Sequence, residues 1–337
     1  MRLTLSIIAA SAIVLAATSV LALGYLWGRK DKGDDAKLPF SAGIREAQIT
    51  DKVIGKPVRL VIWYPTRAKE NTARFGTIVF KAARDTQPAK GSFPLVAVSH
   101  GTGGSQFHHH DTALYLARRG HVVVVLSHPE DNFDNHDRLD RWSTWTGRPR
   151  QLSLAIDAVL ADRSLGSRID QNRIAAIGYS IGGHTVLVAA GGVAQPSALI
   201  THCRRVRQVT TMCPSDGPLV RDDGSKLPPP DRRIRSVVAL APVAAFFGRE
   251  AFKNYRAKTL IYRAGNDEGL PYPHHAAWLM KILPAKSLYK VANDGGGGHE
   301  IFLAPDPGNA EWDFVVHTAF HRRMNAEIHA FLKDALK

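Results

Sequence analysis

Two rhythms of apolar and polar residues alternate along this chain. Short apolar runs recur at 94–98, 173–177, 237–240 and 259–262, with a valine-rich run at 121–126. Each is too short for a stable helix and carries no polar face, the pattern of a strand buried on both sides. Between these runs the spacing turns helical. Residues 151–161 place Leu152, Ala155, Ile156, Val159 and Leu160 on one stripe, and Pro149 suits the first turn of that helix. Residues 112–119, 185–190 and 273–283 predict three more helices. A last helix from about Trp312 aligns Phe320, Met324, Ile328 and Phe331. Near the N-terminal side, 44–50 and 58–64 flank the turn Gly55-Lys56-Pro57 and predict an antiparallel pair. Residues 287–291 predict the last strand. Residues 66–92 read as mixed and turn-rich, and 130–147 as a long polar loop holding Trp142 and Trp145.

Strand alternating with helix predicts an α/β fold, a mostly parallel sheet with helices on both faces. Residues 191–235 break the rhythm. They hold Cys203, Cys213, seven arginines and Pro228-Pro229-Pro230, and read as an excursion over the surface. Ahead of the domain, residues 3–28 carry no charge, a length that spans a bilayer. Val20-Leu21-Ala22 fits cleavage of a signal peptide, and the apolar run on to Trp27 fits an uncleaved membrane anchor. The expected organisation is therefore signal or anchor 1–28, charged linker 29–38 and folded domain 39–337. Residues 3–28 are then the route to membrane association, and export to the periplasm or beyond is the expected location.

The 337 residues are 45% hydrophobic and 22% charged, which suits one large domain. The formal charge of +14 is scattered and accompanies no nucleic-acid motif, so a nucleic-acid partner is not expected. It fits a protein near anionic membrane surfaces. Cys203 and Cys213 are either a short disulfide loop, as in an oxidising compartment, or two free thiols.

Functional groups of such sheets collect at the C-terminal ends of strands. There stands Gly178-Tyr179-Ser180-Ile181-Gly182-Gly183, with a buried strand before it and a helix after it. Gly-x-Ser-x-Gly in that context is a nucleophile elbow; without it, the pattern is a glycine-rich turn that holds a serine. A serine hydroxyl needs a base and a group to orient that base. His299, on a glycine-rich loop after the last strand, supplies the base. Asp267, after the strand at 259–262, supplies the acid, against a bland reading as a turn aspartate. Asp294 lies too close in sequence to His299 to be preferred. The order Ser, Asp, His is that of an α/β-hydrolase. The backbone amides of Ile181 and Thr102 are the candidates for an oxyanion hole, the latter from the loop His100-Gly101-Thr102-Gly103-Gly104. His100 reads as holding its own turn. His108, His109 and His110 are consecutive and do not converge on a metal.

These residues, with Ser99 and Ser105 bounding the glycine loop, resemble the α/β-hydrolase superfamily. Leu60-Val61-Ile62-Trp63-Tyr64-Pro65, His128-Pro129 and the segment Val237-Val238-Ala239-Leu240-Ala241-Pro242 are similar to the predicted dienelactone-hydrolase-like group and its platelet-activating-factor acetylhydrolase relatives. The likeness covers about 43–335. It implies hydrolysis of a small-molecule ester without a cofactor, through an acyl-enzyme on Ser180. True dienelactone hydrolases carry cysteine at that position. A peptidase or acyltransferase could use the same triad, and a catalytically silent anchored binding protein is the alternative from another class. Trp142, Trp145 and the 191–235 excursion are expected to shape the acyl pocket.

Overall fold

Apolar strands buried along most of their length stand side by side in the centre of the computed structural model. It describes residues 38–337 except 207–209, 211, 216–218, 286, 293–296 and 307–312. The expected signal or anchor segment, the linker up to 37, Trp312 and Asp294 lie outside the described residues. Among the described residues no helix is long and apolar enough to cross a membrane.

The ten strands are β1 (Ser41–Asp51), β2 (Lys56–Thr66), β3 (Asn71–Phe75), β4 (Ile78–Arg84), β5 (Phe93–Ser99), β6 (Val122–Ser127), β7 (Ile169–Tyr179), β8 (Ile234–Leu240), β9 (Lys258–Ala264) and β10 (Leu288–Ala292). They form one sheet in the order β10-β9-β8-β7-β5-β6-β2-β1-β4-β3. From β10 to β6 every pairing is parallel, with Val98 level with Val125 on one side and Ile177 on the other. The β1–β2 pair is antiparallel across the expected turn, where Gly55 takes φ +66°. The β3–β4 hairpin occupies the segment read as turn-rich. As an edge hairpin it has little to bury, chiefly Phe80, Ala82 and Ala83, and so leaves no apolar run.

Alternate residues of each central strand feed two cores. On one face, Leu95 and Ala97 pack with α2 (Trp142–Ala161) and α3 (Ile181–Ala189). On the other, Val96 and Val98 pack with α1 (His110–Ala117) and α6 (Phe314–Ala335). On α6, Phe320, Met324 and Ile328 are buried as the spacing predicts, and Phe331 is half-buried against the same core. The predicted helix at 273–283 divides into a 3-10 turn, Tyr272–His274, and α5 (Ala276–Ile282).

Helix α2 starts two turns earlier than its stripe predicts, and Pro149 lies inside it. That proline forfeits one backbone bond, but packing outweighs the loss. Trp142 and Trp145 are buried, with ring centroids 5.2 and 4.5 Å from Phe246, and Trp145 Nε1 donates to the Leu139 carbonyl at 2.9 Å. Both tryptophans are therefore core packing rather than pocket walls. The excursion corrects in the same direction. Its helix α4 (Pro196–Val206) buries Leu199, and the loop beyond buries Met212, Cys213 and Val220 in the first core. Cys203 and Cys213 are joined as a disulfide.

His109, His121 and His184 are buried, and loss of solvation holds each down to about 3 from an ordinary 6.5. The unfolded chain binds these protons below pH 6.5 and the fold does not, so stability falls as pH drops from about 6.5 towards 3. The denaturant midpoint is expected to be clearly lower at pH 5 than at pH 7. In His184→Phe that difference should be smaller, because one of the three groups no longer titrates.

Candidate active site

At the C-terminal end of β7 the chain turns abruptly into α3. Ser180 sits at the tip with φ +56°, a region that costs a non-glycine residue of order 1–3 kcal/mol. The strain is held by bonds on both sides: Ser180 N–H donates to Leu240 O at 2.8 Å, and Ser180 O accepts from Val243 N at 3.2 Å. The turn closes only with glycine at two positions. A Cβ on Gly178 would lie 2.0 Å from the Gly182 carbonyl oxygen, and one on Gly182 would lie 2.1 Å from the Ser99 carbonyl oxygen.

Three residues chosen from the sequence meet here. Ser180 Oγ is 2.9 Å from His299 Nε2, and His299 Nδ1 is 2.8 Å from Asp267 Oδ2. Asp267, buried beyond β9, also accepts from Leu270 N–H at 2.7 Å through Oδ1. With the carboxylate accepting from Nδ1, Nε2 is left to accept the serine proton. His299 opens a 3-10 turn, His299–Phe302, that is held from several sides. Tyr179 Oη donates to the His299 carbonyl at 3.1 Å. The Ile301 carbonyl accepts from His317 Nε2 at 2.9 Å and from His321 Nε2 at 2.8 Å, two histidines one turn apart on α6. His321 Nδ1 in turn lies 2.7 Å from Asp111 Oδ2 on α1. Burial pushes the Asp111 carboxyl up, but the charge and hydrogen bond of His321 outweigh it and hold it well below the usual range. Burial raises the Tyr179 phenol, with Glu300 and Asp267 adding to the effect, so it stays a neutral donor.

The loop after β5 lies against the elbow: a Cβ on Gly101 would be 3.4 Å from Ser180 Cβ. Thr102 therefore stands in the loop that faces the nucleophile, and Ile181 opens α3, whose first amides have no partner within the helix. This loop hangs on a buried ion pair. Arg148 Nη1 donates to Asp131 Oδ2 at 2.6 Å, and both side chains are almost wholly buried. Asp131 Oδ1 accepts from Gly103 N–H at 2.9 Å. Arg148 also donates to the His100 carbonyl, to Ser99 Oγ at 3.2 Å and to Thr185 Oγ1 at 3.1 Å. Burial lowers the guanidinium only to about 10, so it stays charged. Ser99 Oγ–H donates to His128 Nε2 at 2.8 Å, and His128 Nδ1 donates to Gln151 Oε1 at 2.7 Å. His100 donates from Nδ1 to the Gly101 carbonyl at 2.6 Å and accepts the His128 amide at Nε2. Burial, followed by the charge of Arg148, keeps both of these rings neutral.

Sequence reasoning missed Tyr179, Asp131, Arg148, His317 and His321. Arg148 did leave a signal. It falls on the stripe of Trp145, Leu152, Ile156 and Val159, and a charge on a buried stripe needs a buried partner. Among the described residues no cluster of His, Cys, Asp or Glu could hold a metal ion.

A ferulic acid esterase from Streptomyces cinnamoneus superposes on 89% of this chain and 91% of its own, with a TM-score of 0.61 and 18% identity. The chain has the α/β-hydrolase fold. Its sequence is also similar to curated cutinases over 119 residues. Cutinase 2 of Thermobifida cellulosilytica is 31% identical over 34% of this chain and 42% of its own length. Cutinase cut1 of Thermobifida fusca is 31% identical over 34% of each. The match thus spans less than half of these relatives. No protein-family model matches the chain.

Replacing Asp131 by alanine leaves Arg148 charged and buried and takes the acceptor from Gly103. A loss of about 3–5 kcal/mol is expected in urea unfolding, the usual consequence of stranding one member of a buried pair.

Proposed function

We propose that the protein is a serine hydrolase that cleaves carboxylic esters. One observation carries this reading: Ser180, His299 and Asp267 form a hydrogen-bonded series at the strand ends, with a glycine-rich amide loop against the nucleophile. Ser180 Oγ attacks the ester carbonyl as His299 Nε2 takes its proton. The developing oxyanion is met by the amides of Thr102 and Ile181. His299 returns the proton to the leaving alcohol, and the acyl group stays on Ser180. Water, deprotonated by His299, then releases the acid. Asp267 holds the imidazole tautomer and balances its charge throughout. The Asp111–His321–Ile301 series and Tyr179 act at one remove, fixing the turn that presents His299.

The partial likeness to cutinases and the shared fold with a ferulic acid esterase support ester substrates. We assign the chain more finely to the predicted dienelactone-hydrolase-like group, on residues 60–65, His128-Pro129 and 237–242. Serine in place of cysteine at position 180 argues against lactone chemistry of the dienelactone kind. Export, with residues 3–28 as signal or anchor, is supported by the apolar segment and by the Cys203–Cys213 disulfide.

The full chain is expected to hydrolyse p-nitrophenyl acetate and butyrate, and Ser180→Ala to fall to background. Asp267→Asn should lose about 10³–10⁴-fold in kcat, since the wrong tautomer then faces the serine. Fluorophosphonate labelling of Ser180 without ester turnover would instead favour a peptidase or acyltransferase. A folded protein that neither labels nor turns over would be a binding protein. His321→Gln is expected to reduce kcat several-fold with KM little changed, because it loosens the base and leaves the substrate surface intact.

A further inference from the structure

The end of the sheet away from Ser180 carries a feature that ester hydrolysis does not use. A cavity of about 1030 Å³ opens where β5, β7, β8 and β9 begin, and the last turns of α6 close its side. Its walls are strongly basic. Arg173 is tied to Asp170 by a 2.7 Å bond, and Lys337 to Asp334 by a 2.8 Å bond. Arg235, Arg256, Lys258 and Lys333 make no salt bridge or side-chain hydrogen bond among the described residues, though the charge of Lys258 is felt at Asp334. Solvated surface cations are common, so charge alone decides little. A second observation does more. His121 lines the same cavity, is only 4% exposed, and its Nδ1 makes no hydrogen bond among the described residues. His329, in ring contact with it at 5.2 Å, also lines the cavity with an unpartnered Nδ1. Buried polar atoms are rarely left bare, and these two belong to the wall of a basic hollow.

A second cavity, of about 820 Å³, adjoins the first. Its walls are more apolar, with Val193, Leu227, Pro228 and Ile234 among them beside Arg232 and Asn254. Val193 stands half exposed. Arg235 and Arg256 line both cavities, so the basic wall passes into the more apolar one at these two guanidinium groups. Such an arrangement matches a ligand with a charged end and a hydrocarbon end. Two arginine forks beside a lysine suit a dianionic phosphate better than a carboxylate.

We propose that this double cavity binds an anionic amphiphile, with its phosphate between Arg235, Arg256 and Lys258 and its alkyl chain against Val193, Leu227 and Ile234. The site goes beyond the hydrolase reading and does not rest on it. Its head contacts are exposed, so binding weakens as salt is raised.

The test is calorimetric titration of the full chain with hexyl phosphate, inorganic phosphate and hexanol. Hexyl phosphate is expected to bind at least tenfold more tightly than inorganic phosphate, and hexanol not to saturate. The double variant Arg235→Gln, Arg256→Gln should weaken both phosphate ligands at least tenfold. Leu227→Ser should remove the advantage of the hexyl chain and leave inorganic phosphate unchanged. Equal affinity for hexyl and inorganic phosphate would reduce the site to a plain anion patch and overturn the proposal. Unchanged binding in the double variant, or no binding by wild type, would also overturn it. The substituted side chains lie far from Ser180, so p-nitrophenyl butyrate turnover should match wild type. Should the chain prove to lack esterase activity, the thermal midpoint reports folding in its place, and the two proposals fail separately.

Discussion

The buried pair of Arg148 and Asp131 ties together pieces that the chain order keeps apart. It joins helix α2 to the loop after β6, the glycine loop after β5 and, through Thr185, helix α3. A guanidinium with five donors suits this place because it must satisfy several acceptors at fixed angles in the absence of water. The same geometry explains why the pair is tolerated. The guanidinium finds acceptors on Asp131, Ser99, His100 and Thr185, and the bonds to the His100 carbonyl and from Gly103 N–H fix backbone beside Ser180.

Ser180 shows the complementary arrangement. Its backbone is strained, and the neighbours that permit the strain are two glycines and two strand-end hydrogen bonds. The candidate base is held by a different means. His299 rides on a short 3-10 turn, and the order of that turn comes from histidines on the last helix and a carboxylate on the first. Elbow, amide loop and His299 turn thus each have their own contacts, and Arg148–Thr185 and Tyr179–His299 link them to one another.

Much of the arrangement was legible in the chain because it is written in periodicity. The valine-rich runs could only be buried strands. The glycines around Ser180, and the order of Ser180, Asp267 and His299 at strand ends, carried the site. What escaped was set by contacts distant in sequence. The first turns of α2 are helical because Trp142 and Trp145 find Phe246, about a hundred residues on, and no local pattern records that. The β3–β4 hairpin buries too little to leave a run. The 191–235 stretch looked like surface because of its arginines, although Leu199, Met212 and Val220 reach the core between them. Tyr179 was hidden by its neighbour, since the elbow motif draws the eye to the serine.

The support beneath His299 also spans the length of the domain. Ser180 and its strained turn belong to the middle of the chain, whereas the turn that carries the base is seated by His317 and His321, and Asp111 reaches forward 210 residues to meet them. His317 and His321 make their bonds to the Ile301 carbonyl and not to His299, so a shift of α6 would reach the candidate base through the backbone of that turn.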